Sequence, residues 1–444
     1  PIAERYLNVD SLETDAQKLE TELVNLSKEY GDYTQNLKIT WKDVQSNLND
    51  NEVAIEFLEY PTLTDTVKYA ALLLRKGWAN PKFIPLFRKD QIEEFIKRDP
   101  NQIYSNGFVG KEMKKLVWDP LEEFITPGDK VHFSAAGILH QLAIENLSSN
   151  DATTLGDRYQ MYRLSSTKEL ALQKPESKTQ SVALYGGIKY DLELNQMITE
   201  SEKYRQKDSF YALRGIAQDS TLRKGWQFLP GTLTEAHEIS EILNKNQYQV
   251  GEFLGETGSE ESFKALSGIG TGIIHIATHG FFLPVEQSKR NTFIQMRFDG
   301  QSENIGYVDP MLRSGLLLAG GNRAWQGDSI PDTIEDGILT AKEISHVDLR
   351  ETDLVVLSAC ETGLGDVSSE GVFGLQRAFK QAGAQTIIMS LWNVKDEATQ
   401  YLMTNFYSYL MKGASKREAF TQARNKCREQ YPDPASWAAF IMLD

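Results

Sequence analysis

The chain has 444 residues, of which 41% are hydrophobic and 10% aromatic, and its formal net charge is −15. This length allows two or three domains with sizeable cores, and the negative charge argues against wholesale nucleic-acid binding. No apolar run approaches the ~18–20 residues of a membrane span, and no basic-then-apolar signal segment opens the chain. The composition therefore predicts a globular protein without a nucleic-acid or membrane partner.

Cysteine usage indicates the compartment. The two cysteines, Cys360 and Cys427, cannot build a disulfide framework, and a single thiol in a special position is typical of a reducing environment. We therefore predict a cytoplasmic protein. The sequence begins with Pro1 rather than Met, which favours a fragment of a longer chain.

The first part of the chain is predicted to hold an N-terminal helical segment, 1–50, and then a smaller α/β part, 51–178. Charged residues with apolar positions at helical spacing predict an amphipathic helix over 6–30. Further strands are predicted at 51–60, 67–75, 81–86 and 130–133, and further helices at 91–98 and 110–124.

From residue 181 the pattern becomes strand, helix, strand, and 179–444 is predicted to form one domain. This alternation predicts an α/β fold with a mostly parallel sheet flanked by helices. A long glycine-rich region, 281–336, interrupts it, and loops of that length are usually functional or disordered. Strands are predicted at 182–185, 248–253, 272–279, 353–360, 385–391 and 438–443, and helices at 234–244, 259–267, 371–382, 396–411 and 415–430.

Two of these strands deliver chemically useful side chains. An apolar run over 353–360 ends in Cys360, and another over 272–279 ends in His279, followed by Gly280. The carboxyl ends of parallel strands form the edge of a sheet where ligands bind. An imidazole beside a thiol raises the thiolate fraction and can protonate a leaving amine. The N–H groups of Gly280 and Cys360 could then hold an oxyanion.

Each of these residues also has a purely structural explanation. A free cysteine at a strand end is often just a small buried residue, and neutral histidines are often satisfied core residues. His275, in mid-strand, is better explained in that second way. A zinc site from His275, His279 and Cys360 is disfavoured, because the helical His-Glu-x-x-His pattern and Cys-x-x-Cys pairs are absent. We predict no metal and no cofactor.

The chain resembles the CHAT family of caspase-like cysteine proteases, in the clan that includes caspases and separase. The resemblance covers about residues 130–444, and the stretch 52–57 is similar to the region that often precedes the domain. It is carried by the blocks HIATHGFF (275–282), RSGLLLAG (313–320), EDGILTAKEI (335–344), LSACETGLG (357–365) and GAQTIIMSLW (383–392).

This resemblance implies that His279 and Cys360 form a catalytic dyad and that Gly280 supplies an oxyanion-hole N–H. It also implies a caspase-like fold preceded by a pseudo-protease-like part, and a protein substrate. Members often carry tetratricopeptide repeats upstream, although no period of about 34 residues is visible here. An upstream helical-repeat region or another regulatory protein is the expected partner.

The substrate preference is less well defined. Relatives with an acidic residue two positions before the cysteine suit basic P1 side chains, whereas caspases have Gln there and cleave after Asp. Here that position is Ser358, so we predict a basic or apolar P1 residue and reject Asp. The acidic residues that could line a basic-specific pocket are Asp309, Glu335, Asp336 and Asp366, with Asp328 as a further candidate. The apolar stretch 316–318 could instead line a pocket for a Leu-like residue.

The sequence thus predicts a cysteine endopeptidase that acts through an acyl-enzyme. A catalytically silent module that keeps the fold for partner binding is the alternative. A third possibility is a protease held inactive until a partner or self-cleavage orders residues 281–336.

Overall fold

The computed structural model describes residues 38–63, 66–150, 153–172, 179–204, 224–282, 297–298, 301–302, 310–358 and 369–444. The predicted helix over 6–30 lies outside these ranges. No helix within them is long and apolar enough to cross a membrane.

The strands are spread along the whole described chain. They are β1 (Glu52–Pro61), β2 (Val67–Arg75), β3 (Lys82–Arg88), β4 (Lys130–Ser134), β5 (Gln160–Leu164), β6 (Ser181–Gly186), β7 (Gln249–Leu254), β8 (Ile273–Ile276), β9 (Gly280–Phe282), β10 (Arg297–Phe298), β11 (Gln301–Ser302), β12 (Ser314–Leu317), β13 (Ile338–Thr340), β14 (Leu354–Leu357), β15 (Thr386–Ser390) and β16 (Phe440–Leu443).

The helices alternate with them. They are α1 (Trp41–Ser46), α2 (Lys89–Ile96), α3 (Pro100–Ile103), α4 (Phe108–Val117), α5 (Leu155–Arg158), α6 (Leu194–Glu202), α7 (Pro230–Lys245), α8 (Glu260–Lys264), α9 (Gly321–Gln326), α10 (Ala341–Ile344), α11 (Ser369–Ala382), α12 (Asp396–Met411), α13 (Lys416–Gln430) and α14 (Pro434–Trp437). Short 3₁₀ helices cover Asp119–Phe124, Gly137–Gln141, Ile144–Asn146, Thr167–Ala171 and Pro310–Leu312.

An 11-stranded sheet organises the molecule, in the order β3-β2-β1-β4-β5-β16-β15-β14-β8-β6-β7. The strands β7, β6, β8, β14 and β15 are parallel, and β16 pairs with β15 in the antiparallel sense. Because β16, β5, β4 and β1 are parallel to one another, the two halves of the sheet run in opposite directions. The predicted mostly parallel sheet flanked by helices is confirmed. Both predicted parts, 51–178 and 179–444, share this sheet, and their division into domains stays a prediction.

Apolar burial explains why the sheet lies where it does. Every residue of β8, β14 and β15 is buried, as expected for central parallel strands whose side chains face covering layers on both sides. Helices α7, α12 and α13 pack side by side, and α10 packs against α11. A small antiparallel sheet, β13-β12-β9, continues directly from the end of β8.

Several predicted elements differ from the structure, and the strand predicted over 272–279 ends at Ile276. The helix predicted over 110–124 ends at Val117 and is followed by a 3₁₀ turn, because Pro120 has no N–H and cannot continue an α-helix. The helix predicted from 234 begins four residues earlier, with Pro230 as its first residue. The region 281–336, predicted as a long loop, contains β12 and α9 in its described part.

Candidate active site

His279 stands at the carboxyl edge of the central strands. It follows β8 by three residues, and Ile276 at the end of β8 is in register with Leu357 of the neighbouring β14. Its backbone N–H donates to the Tyr190 hydroxyl at 3.3 Å, and its carbonyl accepts from Leu317 N–H at 2.8 Å. The backbone at His279 is therefore fixed on both sides.

The imidazole of His279 is oriented by a backbone carbonyl. Its Nε2 lies 2.7 Å from the carbonyl oxygen of Gln227, and its ring packs against Tyr190 and Trp226 at centroid distances of 5.0 and 4.9 Å. A carbonyl can only accept, so Nε2 carries the proton and Nδ1 is the basic nitrogen of the neutral ring. This is the tautomer that a general base acting through Nδ1 requires.

A carboxylate lies near the same ring. Asp396, the first residue of α12, is close enough to His279 for their charges to interact. Burial raises the pKa of Asp396, the negative charge of Glu235 raises it further, and His279 opposes both effects. An imidazolium at position 279 would be stabilised by this charge, as Asp396 is stabilised in return.

His275 is a structural residue, as the sequence indicated. Its side chain is fully buried, with Nε2 3.0 Å from a Glu235 carboxylate oxygen and Nδ1 3.2 Å from the Tyr407 hydroxyl. Both ring nitrogens therefore have a partner inside the core. In this environment the ring can neither reach a substrate nor coordinate a metal.

The cysteine side of the predicted dyad is only partly described. Cys360, Asp309 and Asp366 lie outside the described residues. Ser358, the residue after β14, is 2% exposed, and its N–H donates to the carbonyl of Ile276. The other cysteine, Cys427, is buried in α13, and burial raises the pKa of its thiol to about 12. It remains a neutral thiol at physiological pH.

Glu335, one of the predicted substrate-pocket acids, belongs to a group of carboxylates around the largely buried Lys264. Lys264 Nζ lies 2.9 Å from Glu335, 2.7 Å from Glu260 and 3.0 Å from Glu343. Asp336 accepts the backbone N–H of Ile338. Three of these carboxylates could hold a metal ion by their spacing, but the Lys264 ammonium already occupies the space between them. A role for Glu335 or Asp336 in substrate binding stays a prediction.

Burial dominates the electrostatics of this cluster. It raises the pKa of Glu335 to about 7, of Asp336 to about 7 and of Glu343 to about 8, with the charge of Glu260 as the next cause in each case. Burial alone would lower the pKa of Lys264, yet the surrounding carboxylates raise it. The cluster therefore holds more protons in the folded chain than in an unfolded one.

Sequence reasoning missed the groups that orient His279. They are the Gln227 carbonyl and the rings of Trp226 and Tyr190; the charge interaction with Asp396 was missed as well. The one local signal was the aromatic pair Trp226 and Phe228 just before the start of α7. Phe228 is 50% exposed, whereas the neighbouring Trp226 is buried.

A family model described as the CHAT domain matches residues 109–444. Among curated proteins, human tetratricopeptide repeat protein 28 is 26% identical over 225 residues, which is 49% of this chain and 8% of that protein. The mouse protein of the same name is 32% identical over 121 residues, which is 26% of this chain and 5% of that protein. The chain thus spans less than a tenth of the length of these relatives.

The solved structures that it resembles are distant. Gingipain R, an Arg-specific cysteine proteinase, gives a TM-score of 0.41 at 9% identity, over 80% of this chain and 74% of that one. Separase in the Saccharomyces cerevisiae separase–securin complex gives 0.46 at 10% identity, over 90% of this chain and 30% of that one.

Proposed function

Since the chain belongs to the CHAT domain family, we propose that it is a cysteine endopeptidase with Cys360 as nucleophile and His279 as general base. The observation that carries the proposal is the 2.7 Å contact between His279 Nε2 and the Gln227 carbonyl, because it makes Nδ1 the basic nitrogen. Leu357 of β14 and Ile276 of β8 are in register. Cys360 comes three residues after Leu357, and His279 comes three residues after Ile276. Equal offsets from a paired position favour a thiol next to the imidazole.

In the proposed reaction, His279 Nδ1 takes the proton from the Cys360 thiol, and the thiolate attacks the scissile carbonyl carbon. The N–H groups of Gly280 and Cys360 are proposed to bind the oxyanion. When the C–N bond breaks, the imidazolium gives its proton to the leaving amine. Water, deprotonated by Nδ1, then attacks the thioester, and the acid product leaves with the thiol restored.

We propose that the residue bound beside His279 is apolar. The Phe228 ring is half exposed and directly follows Gln227 in the chain, and we propose it as the apolar surface that this residue contacts. Glu335 is engaged with Lys264, which leaves it poorly suited to bind a basic side chain. Ser358 is small and neutral, so cleavage after Asp is not expected. Replacing Phe228 with Ala should raise KM by about 3- to 10-fold, through lost apolar contact, with kcat less affected. Profiling with a peptide library tests this proposal, and dominant cleavage after Asp would refute it.

Labelling with a peptidyl acyloxymethyl ketone tests the dyad directly. The probe should modify the protein once, at Cys360, and fail on Cys360→Ala while Cys427 is still present. Labelling should also fall sharply in His279→Gln, because the thiolate fraction falls with the base. A folded wild-type chain that is labelled neither alone nor with a candidate activator would refute the peptidase proposal in favour of the binding-module alternative.

A partner-dependent activity remains compatible with the proposal. The curated relatives are named for tetratricopeptide repeats, and this chain matches only a small share of their length. A regulatory protein or an upstream helical-repeat region would then control access to the site. Incubating the purified chain alone and with candidate activators, and following fragments on a gel, separates a constitutive protease from a regulated one. A thiol nucleophile also fits a reducing compartment such as the cytoplasm.

A further inference from the structure

The segment that carries the histidine-orienting carbonyl is itself clamped by a buried side chain. Asn322 accepts the backbone N–H of Trp226 at 2.7 Å through Oδ1, and its Nδ2 donates to the carbonyl of Trp226 at 3.0 Å. One amide therefore pairs with both backbone groups of one residue, as a neighbouring strand would. Asn322 is 2% exposed, so water does not compete for these bonds.

Asn322 is held rigidly from the other side. Its second Nδ2 hydrogen donates to Asp191 Oδ1 at 2.9 Å, and its backbone N–H donates to the carbonyl of Tyr190 at 3.1 Å. The contact with Asp191 also fixes which end of the amide is the donor, because a carboxylate only accepts. Every hydrogen of the side-chain amide is thus used.

Covalent geometry carries this restraint to Gln227. The carbonyl of Trp226 belongs to the planar peptide unit that ends at the Gln227 Cα, so the clamp fixes that whole unit. On the far side, Pro230 begins α7 and Leu229 is its N-cap residue, which anchors the chain again. Only the two backbone torsions of Gln227 remain to aim its carbonyl at His279.

Close packing supports the same conclusion. A Cβ on Gly225 would lie 3.0 Å from Asn322 Nδ2 and 2.7 Å from Gln326 Nε2, so the backbone approaches α9 as closely as a glycine permits. The Trp226 ring packs between His279 at 4.9 Å and Trp325 at 5.2 Å. Both the backbone and the side chain of Trp226 are therefore docked against α9.

We propose that Asn322 is a positioning residue for catalysis: by clamping the Trp226 backbone, it holds the Gln227 carbonyl where His279 must donate Nε2–H to it. This inference rests on the proposed function, since it concerns the same histidine. Without the clamp the carbonyl moves away, and the imidazolium loses an acceptor that stabilises it. The paired thiolate then forms only at higher pH. The other titratable groups near the His279 ring are Asp396 and Tyr190. His275 lies four residues before His279 in the chain and is paired with Glu235, whose charge also acts on Asp396.

The test measures the rate of Cys360 alkylation by iodoacetamide as a function of pH in the folded chain. In Asn322→Ala we expect the midpoint of thiolate formation to rise by about 1 pH unit, toward the ~8.5 of a free thiol, and the rate at pH 6 to fall about 10-fold. Peptide cleavage, measured separately, should lose about 10- to 100-fold in kcat with little change in KM. Cys427 does not interfere, because its thiol is buried and its pKa is about 12.

Asn146→Ala is the matched control. Asn146 is also a buried amide that bridges chain segments, donating to the carbonyl of Ala438 at 2.9 Å and accepting from Arg424 at 2.7 Å. It should lower the melting temperature as Asn322→Ala does and leave the thiol midpoint unchanged. A second variant, Asp191→Ala, removes only the outer anchor from an exposed position and should move the midpoint in the same direction by less. It keeps the question answerable if Asn322→Ala does not fold.

The outcomes separate this inference from the proposed function. A low wild-type midpoint that rises in the variant, in a chain that cleaves no peptide either alone or with a candidate activator, supports the positioning role and refutes the peptidase. An unchanged midpoint in Asn322→Ala or, if that variant is unfolded, in Asp191→Ala overturns the positioning role. So does an ordinary thiol midpoint near 8.5 in the wild type, or an equal shift in Asn146→Ala.

Discussion

The two histidines of the central strand lie four residues apart and have opposite surroundings. His275, within β8, is held by side chains alone, the Glu235 carboxylate and the Tyr407 hydroxyl. His279, just beyond the strand, has its Nε2 held by the backbone carbonyl of Gln227, and its own carbonyl accepts from Leu317 N–H. The first position lies within the core, while the second lies at the carboxyl edge of the central strands.

This difference shows what separates a structural histidine from a candidate general base. A carboxylate and a hydroxyl that engage both nitrogens fix the His275 ring for packing. The backbone carbonyl on Nε2 of His279 fixes the orientation and the tautomer of that ring and makes Nδ1 its basic nitrogen. Since both rings are almost fully buried, burial alone does not distinguish them.

The largest expected effect comes from the same substitution made at both positions. His279→Gln keeps a donor for the Gln227 carbonyl but has no basic nitrogen, so peptide cleavage should fall at least ~10³-fold, as when other nucleophile–base pairs lose their base. His275→Gln should retain near-normal turnover per folded molecule. Far-UV circular dichroism supplies the folded fraction of both variants, to which the turnover is normalised. Equal losses of turnover in the two variants would contradict the comparison.

Stability should respond in the opposite sense. His275→Gln leaves buried Glu235 and Tyr407 with poorer partners, and we expect unfolding to become easier by about 1–3 kcal/mol. His279→Gln should change the free energy of unfolding by less, because its carbonyl partner can still be satisfied. Urea unfolding followed by tryptophan fluorescence measures both. A larger loss at position 279 than at 275 would mean that the assignment of roles is wrong.

The sequence predicted the strands well and the orienting groups poorly, for a physical reason. His279 and Cys360 each end an apolar run, and both the residue types and the apolar pattern can be read directly from the sequence. The acceptor for His279 is a backbone carbonyl, which every residue possesses, so Gln227 carries no signal of its own. Its distance along the chain, 52 residues before His279, hides it further.

The acidic residues near 335 show the complementary limit. Their charge indicated a pocket for a basic side chain, but Lys264, 79 residues before Glu343, reaches them in the fold. The local sequence around Lys264 and around Glu335 does not predict that contact. The start of α7 is different, since Pro230 as a first helical residue is a recognisable pattern, although the helix is predicted only from 234.

The Lys264 cluster extends the comparison to carboxylates and predicts how stability depends on pH. The pKa values of Glu335, Asp336 and Glu343, about 7, 7 and 8, lie above their ordinary values of 4.5, 3.8 and 4.5. Between about pH 4 and pH 8 the folded chain therefore binds more protons than the unfolded chain, and stability falls as pH rises through this window. We expect a melting temperature about 2–4 °C lower at pH 8 than at pH 6.

Glu343→Gln should flatten that dependence, because an amide imitates the protonated acid. Glu241→Gln, on the exposed face of α7 beside Lys245, is the matched control and should leave the slope as it is. A wild-type melting temperature that stays constant or rises from pH 6 to pH 8 would contradict the raised pKa values of the three carboxylates. If Glu335 instead binds a basic substrate residue, Glu335→Gln should raise KM for such peptides specifically.

The smallest expected effect tests whether charge adds to geometry at His279. Asp396→Asn removes a carboxylate that stabilises the imidazolium, so the pKa of His279 should fall and the alkaline limb of the pH profile of kcat/KM should move to lower pH. The shift should be only a few tenths of a unit, because Asp396 is partly open to solvent, and 1 M salt should reduce it. Glu397→Gln, at the next position of α12 and exposed, is the control. If the alkaline limb moves to higher pH, or moves equally in the control, the charge of Asp396 does not stabilise the imidazolium. The Gln227 carbonyl would then be the group that sets the protonation of His279.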